Sequence, residues 1–137
     1  MTGAAVGAAI AAGGGAAIVR YLVSLWFARV RSAAESDAPA RAAFPWAVLV
    51  VNVVGSALGG AVLALGAQSG ISPDTQFVLL FGVCGGLSTF STFSVETIQL
   101  VNEGQLRRAV LSVSANLALG LAACALGFTA FGGASLV

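Results

Sequence analysis

Four long apolar stretches dominate this chain of 137 residues. Each is at least as long as the roughly 20 residues that an α-helix needs to cross the hydrocarbon core of a bilayer. We predict helices at about residues 4–28, 45–67, 75–101 and 106–131. Only 8% of the residues are charged, against about 25% in a typical soluble domain. The sequence therefore predicts an all-α membrane protein, with a single transmembrane domain over residues 1–137 in contact with the lipid bilayer.

The links between these stretches are polar. The link Gln68–Asp74 carries the turn-forming residues Gly, Pro and Asp, and the link Asn102–Gln105 is short. Short links favour antiparallel neighbours in a compact bundle. The remaining link, Arg29–Ala43, is polar and charged, and we predict it to be a loop.

Arginine is distributed unevenly between the two sides of such a bundle. Four spans place both termini and the link Gln68–Asp74 on one side, which has no Arg or Lys. The other side has five arginines: Arg29, Arg31, Arg41, Arg107 and Arg108. Because Arg and Lys are enriched in cytoplasmic loops, we predict that the termini lie outside the cytoplasm. As localisation we expect the cell inner (plasma) membrane, with the chain as a multi-pass protein. No basic segment precedes the first stretch, so we expect it to be a spanning helix rather than a cleaved signal peptide.

Several classes of protein require residues that this sequence lacks. The chain has no His, which is the commonest general base and metal ligand. It also has no Lys, so it has no phosphate-binding GxxxxGK loop. Asp37 and Asp74 fall in predicted loops, so we predict no carboxylate pair in the membrane and no enzyme. A net charge of +1 is far from the strongly basic charge that is typical of nucleic-acid-binding proteins, so we predict no nucleic-acid partner. Cys84 and Cys124 lack paired spacing, and we expect free, buried thiols.

The third stretch contains a segment, Gly82–Glu96, that is poorly suited to an ordinary helix. Gly82, Gly85 and Gly86 lie within five residues, and each Gly destabilises a helix by about 1 kcal/mol relative to Ala. Five hydroxyl residues follow, which can bond backbone groups released by a break: Ser88, Thr89, Ser91, Thr92 and Ser94. We interpret the segment as a helix broken at mid-membrane near Gly85–Ser91, where carbonyls face cations and N–H groups face anions. The alternative is a continuous helix whose hydroxyls bond to their own backbone.

Two phenyl rings and several uncharged polar side chains at membrane depth are candidates for an anion path. Phe90 and Phe93 are either core aromatics or rings whose weakly positive edges face an anion. The amide of Asn52 either joins two helices or offers its NH2 group to an anion. Ser112 and Asn116 share a helical face and form either a donor track or interhelical hydrogen bonds.

Glycine spacing in the second and fourth stretches also fits close helix packing. Gly55 and Gly59 have the GxxxG spacing that is frequent at membrane helix interfaces. Gly120 lies one turn beyond Asn116 and therefore on the same face of the fourth helix.

Arg20 and Glu96 are the charged residues that fall well inside the predicted spans. Ionisable groups at this depth are functional candidates by default. Both lie toward the Arg-rich side, so we predict either a salt bridge between them or a charged vestibule in which Arg20 draws anions into the mouth of a path. Snorkelling of Arg20 to the membrane interface is the alternative interpretation.

Three segments resemble the Fluc/CrcB family of fluoride channels. Residues 85–96, GGLSTFSTFSVE, are similar to the GGxTTFST-F signature of that family, which is specific. Residues 13–21, GGGAAIVRY, resemble its Gly-rich first helix ending in Arg-Tyr. Asn52 in VNVVGSALGG resembles its N-x-x-G-S motif in the second helix. Together with the length and the four spans, the resemblance covers most of the chain.

The resemblance implies an antiparallel, dual-topology dimer with two separate fluoride pores. Phe90 and Phe93 would line the pores, with rings from both subunits in each pore, and Asn52 would be the pore amide. Thr89 and Thr92 match the hydroxyls of the motif.

The same resemblance implies a structural sodium ion at the centre of the dimer. In that family the ion is held by backbone carbonyls at the helix-three breaks of both subunits, and the matching positions here are Gly85 and Ser88. Ser88 stands where Thr is commoner. Asn116 falls near a position where the family commonly places a pore Ser, and Ser112 lies one turn earlier.

We therefore expect a fluoride-selective channel through which cytoplasmic fluoride leaves passively. The Arg bias departs from a dual-topology subunit, so a homodimer and a heterodimer with a paralogous subunit of opposite orientation both remain open. One alternative is a small multidrug-type, proton-coupled exporter, but that chemistry needs a carboxylate in the first helix, where this chain has Arg20. The other is a non-transporting membrane scaffold subunit.

Overall fold

The computed structural model describes residues 2–34 and 43–132, and over these residues the chain is helical with no strand. Its helices are α1 (Gly3–Ala34), α2 (Trp46–Ala67), α3 (Pro73–Phe77), a π-helical segment (Val78–Cys84), α4 (Gly85–Leu87), α5 (Phe90–Asn102) and α6 (Leu106–Ala130). Within the described residues, four helical spans are long and apolar enough to cross a membrane, and the third of them, Pro73–Asn102, contains α3 to α5. The four predicted spans are confirmed.

The first helix is longer than the sequence indicated. It continues to Ala34, so Arg29 and Arg31 lie on α1 rather than in the predicted loop. Arg and Ala are strong helix formers, and Arg31 in the last turn complements the negative end of the helix dipole. The other charged residues of that predicted loop, Glu35, Asp37 and Arg41, lie outside the described residues.

Two pairs of neighbouring helices run in the same direction and pack through glycine. In the first pair, α1 contacts the first half of the third span: a Cβ on Gly82 would lie 2.8 Å from the carbonyl oxygen of Ala9. In the second pair, α2 contacts α6 more extensively than any other two elements contact each other. There a Cβ on Gly60 would collide with the carbonyl oxygen of Cys124, and one on Gly127 would collide with that of Ala57.

The predicted GxxxG contact is right for one glycine and wrong for the other. A Cβ on Gly55 would lie 3.3 Å from the side chain of Ser88, whereas one on Gly59 would meet nothing within 4 Å. The tight contact belongs to Gly60 instead, because α6 lies on that face of α2. Spacing shows which residues share a face, but it does not show which face has a neighbour.

The two ends of the bundle differ in charge as predicted. At one end the Thr2 hydroxyl donates to Asp74 Oδ2 at 2.6 Å, and Gln68 Nε2 donates to the carbonyl of Phe131 at 2.6 Å. These contacts join the start of α1 to α3 and the end of α2 to the end of α6. The other end holds four of the five predicted arginines: Arg29 and Arg31 on α1, and Arg107 and Arg108 on α6.

Many large apolar side chains are exposed on the surface of the chain, as expected of a surface that faces lipid. Side chains such as Ile10, Phe81 and Leu126 are about 70% exposed (72%, 69% and 69%). Both cysteines are free, as predicted. Cys84 is buried, but Cys124 is only half-buried, because α6 lies at the edge of the bundle and packs mainly against α2 and α5.

Candidate functional site

The third span is interrupted by two residues with extended backbone. Ser88 (φ -72°, ψ 155°) and Thr89 (φ -145°, ψ 116°) separate α4 from α5. Both lie inside the predicted interval Gly85–Ser91, and the span bends by 23°. The helix is therefore interrupted where the glycine and hydroxyl residues predicted, while its two halves remain close to one axis.

Asn52 stabilises the interruption from α2. The backbone N–H of Thr89 donates to Asn52 Oδ1 at 2.8 Å instead of bonding the carbonyl of Gly85 one turn back. Thr89 also caps the next helix, because its Oγ1 accepts the N–H of Thr92 at 3.2 Å. Helix α5 therefore begins at Phe90 with the positive end of its dipole inside the bundle.

The amide of Asn52 continues this hydrogen-bond chain into α6. Its Nδ2 donates to Asn116 Oδ1 at 2.9 Å and lies 3.4 Å from the carbonyl of Thr89. Asn116 Nδ2 in turn donates to the carbonyl of Ser112 at 2.9 Å. Of the two interpretations of Asn52, the structure shows the one in which it joins helices. The Ser112 hydroxyl is fully buried without a hydrogen-bond partner among the described residues.

A groove of about 400 Å³ opens beside the break. Its lining includes two phenyl rings and five polar residues, which together we call the phenyl groove: Asn52, Ser56, Ser88, Thr89, Phe90, Phe93 and Asn116. The Phe90 ring is 81% exposed. The centroids of Phe90 and Phe93 lie 6.1 Å apart with their planes at 42°. Phe90 is therefore not a core aromatic of this chain, and the two rings are not stacked face to face.

A second cavity, of about 290 Å³, lies between α1, α2 and α5. Its polar lining, which we call the arginine vestibule, consists of Arg20, Tyr21, Ser24, Thr89 and Thr92. Thr89 lines both cavities and so stands between them. Arg20 therefore lines a cavity of the bundle, and its role in drawing anions toward a path stays a prediction.

The predicted salt bridge between Arg20 and Glu96 is not formed in the part of the chain that the structure describes. Nε of Arg20 and Oε2 of Glu96 are each buried without a hydrogen-bond partner there. Glu96 does not line the vestibule. The sequence placed both residues at a similar depth, but depth along two helices does not show whether their side chains face each other.

The residues proposed for sodium are compatible with that ion. Bonding of the Thr89 N–H to Asn52 deprives the Gly85 carbonyl of its usual helical donor, and carbonyls of unwound helices are typical sodium ligands. Gly85 is exposed on the surface of the chain, and Ser88 is half-buried. Two such carbonyls fall short of a full ligand set, so a closed site would need further oxygen ligands.

The structure brings most of the predicted site residues together, with one addition. Six predicted residues line the phenyl groove, and Arg20 and Thr92 line the arginine vestibule; the six are Asn52, Ser88, Thr89, Phe90, Phe93 and Asn116. Ser112 and Glu96 line neither cavity. Ser56 lines the groove but was not predicted. Its position four residues after Asn52, on the same helical face, was the signal that would have found it.

Comparison with known proteins gives a consistent result. Residues 6–128 match the family described as CrcB-like protein, Camphor Resistance (CrcB). Two relatives, from Shewanella sp. (strain W3-18-1) and Shewanella putrefaciens (strain CN-32), are named fluoride-specific ion channel FluC. Each is 42% identical to this chain over 105 residues, which cover 77% of this chain and 77% of the relative. With its four apolar spans, the chain is a multi-pass membrane protein that belongs to the CrcB-like family.

Proposed function

We propose that this protein is a fluoride-selective channel through which fluoride leaves the cytoplasm passively. The observation that carries the proposal is the phenyl groove beside an interrupted membrane helix. Two exposed or partly exposed phenyl rings and several uncharged donors converge there, in a family whose relatives are named fluoride-specific channels.

The chemistry of the groove suits a small, strongly hydrated anion. Such an ion crosses a membrane only if the protein replaces the water that it sheds, and several weak sites allow it to leave as well as enter. Ring edges are weakly positive, and hydroxyl and amide groups donate hydrogen bonds without fixed charge. Arg20 in the adjacent vestibule would raise the local anion concentration at the entrance.

A second subunit in antiparallel orientation would complete the path. The groove is open on one side, and Phe90 protrudes from the chain with 81% of its surface exposed. In an antiparallel dimer, rings of the second subunit would close each of two pores. The carbonyls of Gly85 and Ser88 from both subunits would hold a structural sodium ion between them, which would brace the dimer and offset repulsion between anions.

The test is fluoride efflux from liposomes that contain the purified chain, measured with a fluoride electrode. We expect efflux with the unmodified protein and efflux at the level of protein-free liposomes with Phe90→Ile or Phe93→Ile. Both variants should remain folded, since neither ring is buried in the chain. Phe131→Ile, at the end of α6 and outside the groove, is the control. Undiminished efflux in either groove variant would contradict the proposed role of the rings.

The same experiment decides between the two kinds of dimer. Four described arginines lie at one end of the bundle, which favours a single orientation in the membrane. If the chain alone conducts fluoride, a homodimer is sufficient. If it conducts only after co-expression with a paralogous subunit of opposite charge bias, the functional assembly is a heterodimer.

A further inference from the structure

Hydroxyl groups in the membrane helices fall into two classes: those that donate to a carbonyl of their own helix, and those that do not. Six of them donate to the carbonyl one turn back on their own helix, which satisfies them without any other partner. These residues are Ser24, Ser32, Ser88, Ser94, Thr97 and Thr129. A hydroxyl bonded in this way has no proton left to donate to an ion.

Ser56 belongs to the other class. Its Oγ has no hydrogen-bond partner anywhere in residues 2–34 and 43–132, although Ser56 lies on α2 in the wall of the phenyl groove. The residue opposite on α6 is Gly120, where a Cβ would stand only 3.4 Å from Ser56 Oγ. The glycine therefore leaves open the space next to the hydroxyl.

The neighbouring polar groups of the groove are already engaged. Oδ1 of Asn52 accepts from Thr89, and its Nδ2 donates to Asn116. The Thr89 hydroxyl donates to Thr92 Oγ1 at 3.0 Å. On the α2 side of the groove, Asn52 is thus used to hold the break, and Ser56 is the residue whose donor is unused.

We propose that Ser56 supplies the anion-facing hydrogen bond of α2, while Asn52 acts as a positioning residue that holds Thr89 at the break. The inference rests on the proposed fluoride path and names the group on α2 that contacts the ion. Deleting a hydroxyl that has a protein partner destabilises the fold, whereas deleting one reserved for an ion lowers conduction alone. Stability and conduction therefore separate the two roles.

The experiment compares Ser56→Ala with Ser114→Ala. Ser114 is a matched control because its hydroxyl also lacks a described partner, but it is exposed on α6 and outside the groove. Two quantities are measured on each protein: fluoride efflux from liposomes, and the rise in unfolding temperature in detergent when fluoride replaces chloride. We expect Ser56→Ala to lower efflux at least about tenfold, in line with loss of a hydrogen bond to a charged group. It should also abolish the fluoride-dependent rise and leave the unfolding temperature in chloride unchanged.

The outcomes distinguish this inference from the proposed function. If the unmodified protein responds to fluoride in either measurement and Ser56→Ala responds equally, the role of Ser56 is overturned and the channel proposal stands. A fall in the unfolding temperature of Ser56→Ala in chloride would assign the hydroxyl a structural role and overturn the inference as well. If the unmodified protein responds in neither measurement, the proposed function fails and this inference fails with it.

Discussion

The interface between α2 and α6 is held together differently along its length. Around Gly60 and Gly127 the two backbones touch, and a single Cβ at either position would collide with a carbonyl group. About two turns earlier, Asn52 and Asn116 keep the helices in contact through a 2.9 Å hydrogen bond between their side chains. The same pair of helices thus packs through backbone contact around Gly60 and Gly127, which we call the glycine part. It packs through side-chain amides around Asn52 and Asn116, which we call the amide part.

Within one interface, the glycine part therefore holds the helices together, and the amide part forms the candidate site. Glycine contact brings backbones close through van der Waals packing, without polar groups, and leaves no space between the helices. Amide contact leaves room for the phenyl groove and supplies the acceptor that holds the Thr89 N–H. The glycine part sets the spacing of the helices, and the amide part uses that spacing to maintain an interrupted helix beside a cavity.

The largest loss of stability should come from adding one methyl group to the glycine part. Gly60→Ala places a Cβ against the backbone of Cys124, which cannot move without displacing α6. Overpacking typically costs about 1–3 kcal/mol and more where backbone must shift, so we expect about 3 kcal/mol or more. The measurement is the free energy of unfolding in detergent micelles. Gly59→Ala is the matched control, because its Cβ meets nothing within 4 Å. Equal stability of the two variants would show that the glycine contact does not set the spacing.

The next largest loss of stability should come from the amide part, where we expect the effects of Asn52 and Asn116 on stability to be coupled. Asn52→Ala leaves the Thr89 N–H without its acceptor, and we expect a loss of about 1–3 kcal/mol. Asn116→Ala removes the bond that orients the Asn52 amide, with a loss nearer the ~0.6 kcal/mol average of interhelical hydrogen bonds in membranes. Because both residues act on the same N–H, the double variant should lose less than the sum of the two single losses.

Hydrogen exchange at the Thr89 amide tests the coupling between Asn52 and Asn116 without any flux measurement. Exchange should be faster in both single variants than in the unmodified protein, since both loosen the acceptor of this N–H. Exchange of the Thr97 amide, which lies farther along α5, serves as the internal reference. Additive losses of stability with unchanged Thr89 exchange would mean that the two asparagines act independently.

The sequence predicted the features that are encoded locally. Apolar length gave the four spans, and clustered Gly, Ser and Thr gave the interruption between Leu87 and Phe90, because both depend on short segments. Features that depend on the partner helix were not accessible. Gly59 and Gly60 are adjacent, and only the placement of α6 decides which one is in contact. For the same reason charge and depth suggested a pair between Arg20 and Glu96 that side-chain geometry does not form.

The smallest effect on stability is expected at Gly120, which lies between the two parts. Its added Cβ would stand 3.4 Å from Ser56 Oγ, close to ordinary van der Waals contact. The Gly→Ala change also stabilises a helix by up to about 1 kcal/mol, so we expect Gly120→Ala to unfold within about 1 kcal/mol of the unmodified protein. Fluoride efflux should nevertheless fall, because the methyl group occupies the space beside the Ser56 hydroxyl. A loss of stability as large as that of Gly60→Ala would show that close glycine packing continues up to the phenyl groove. The two parts of the interface would then not differ in the way described.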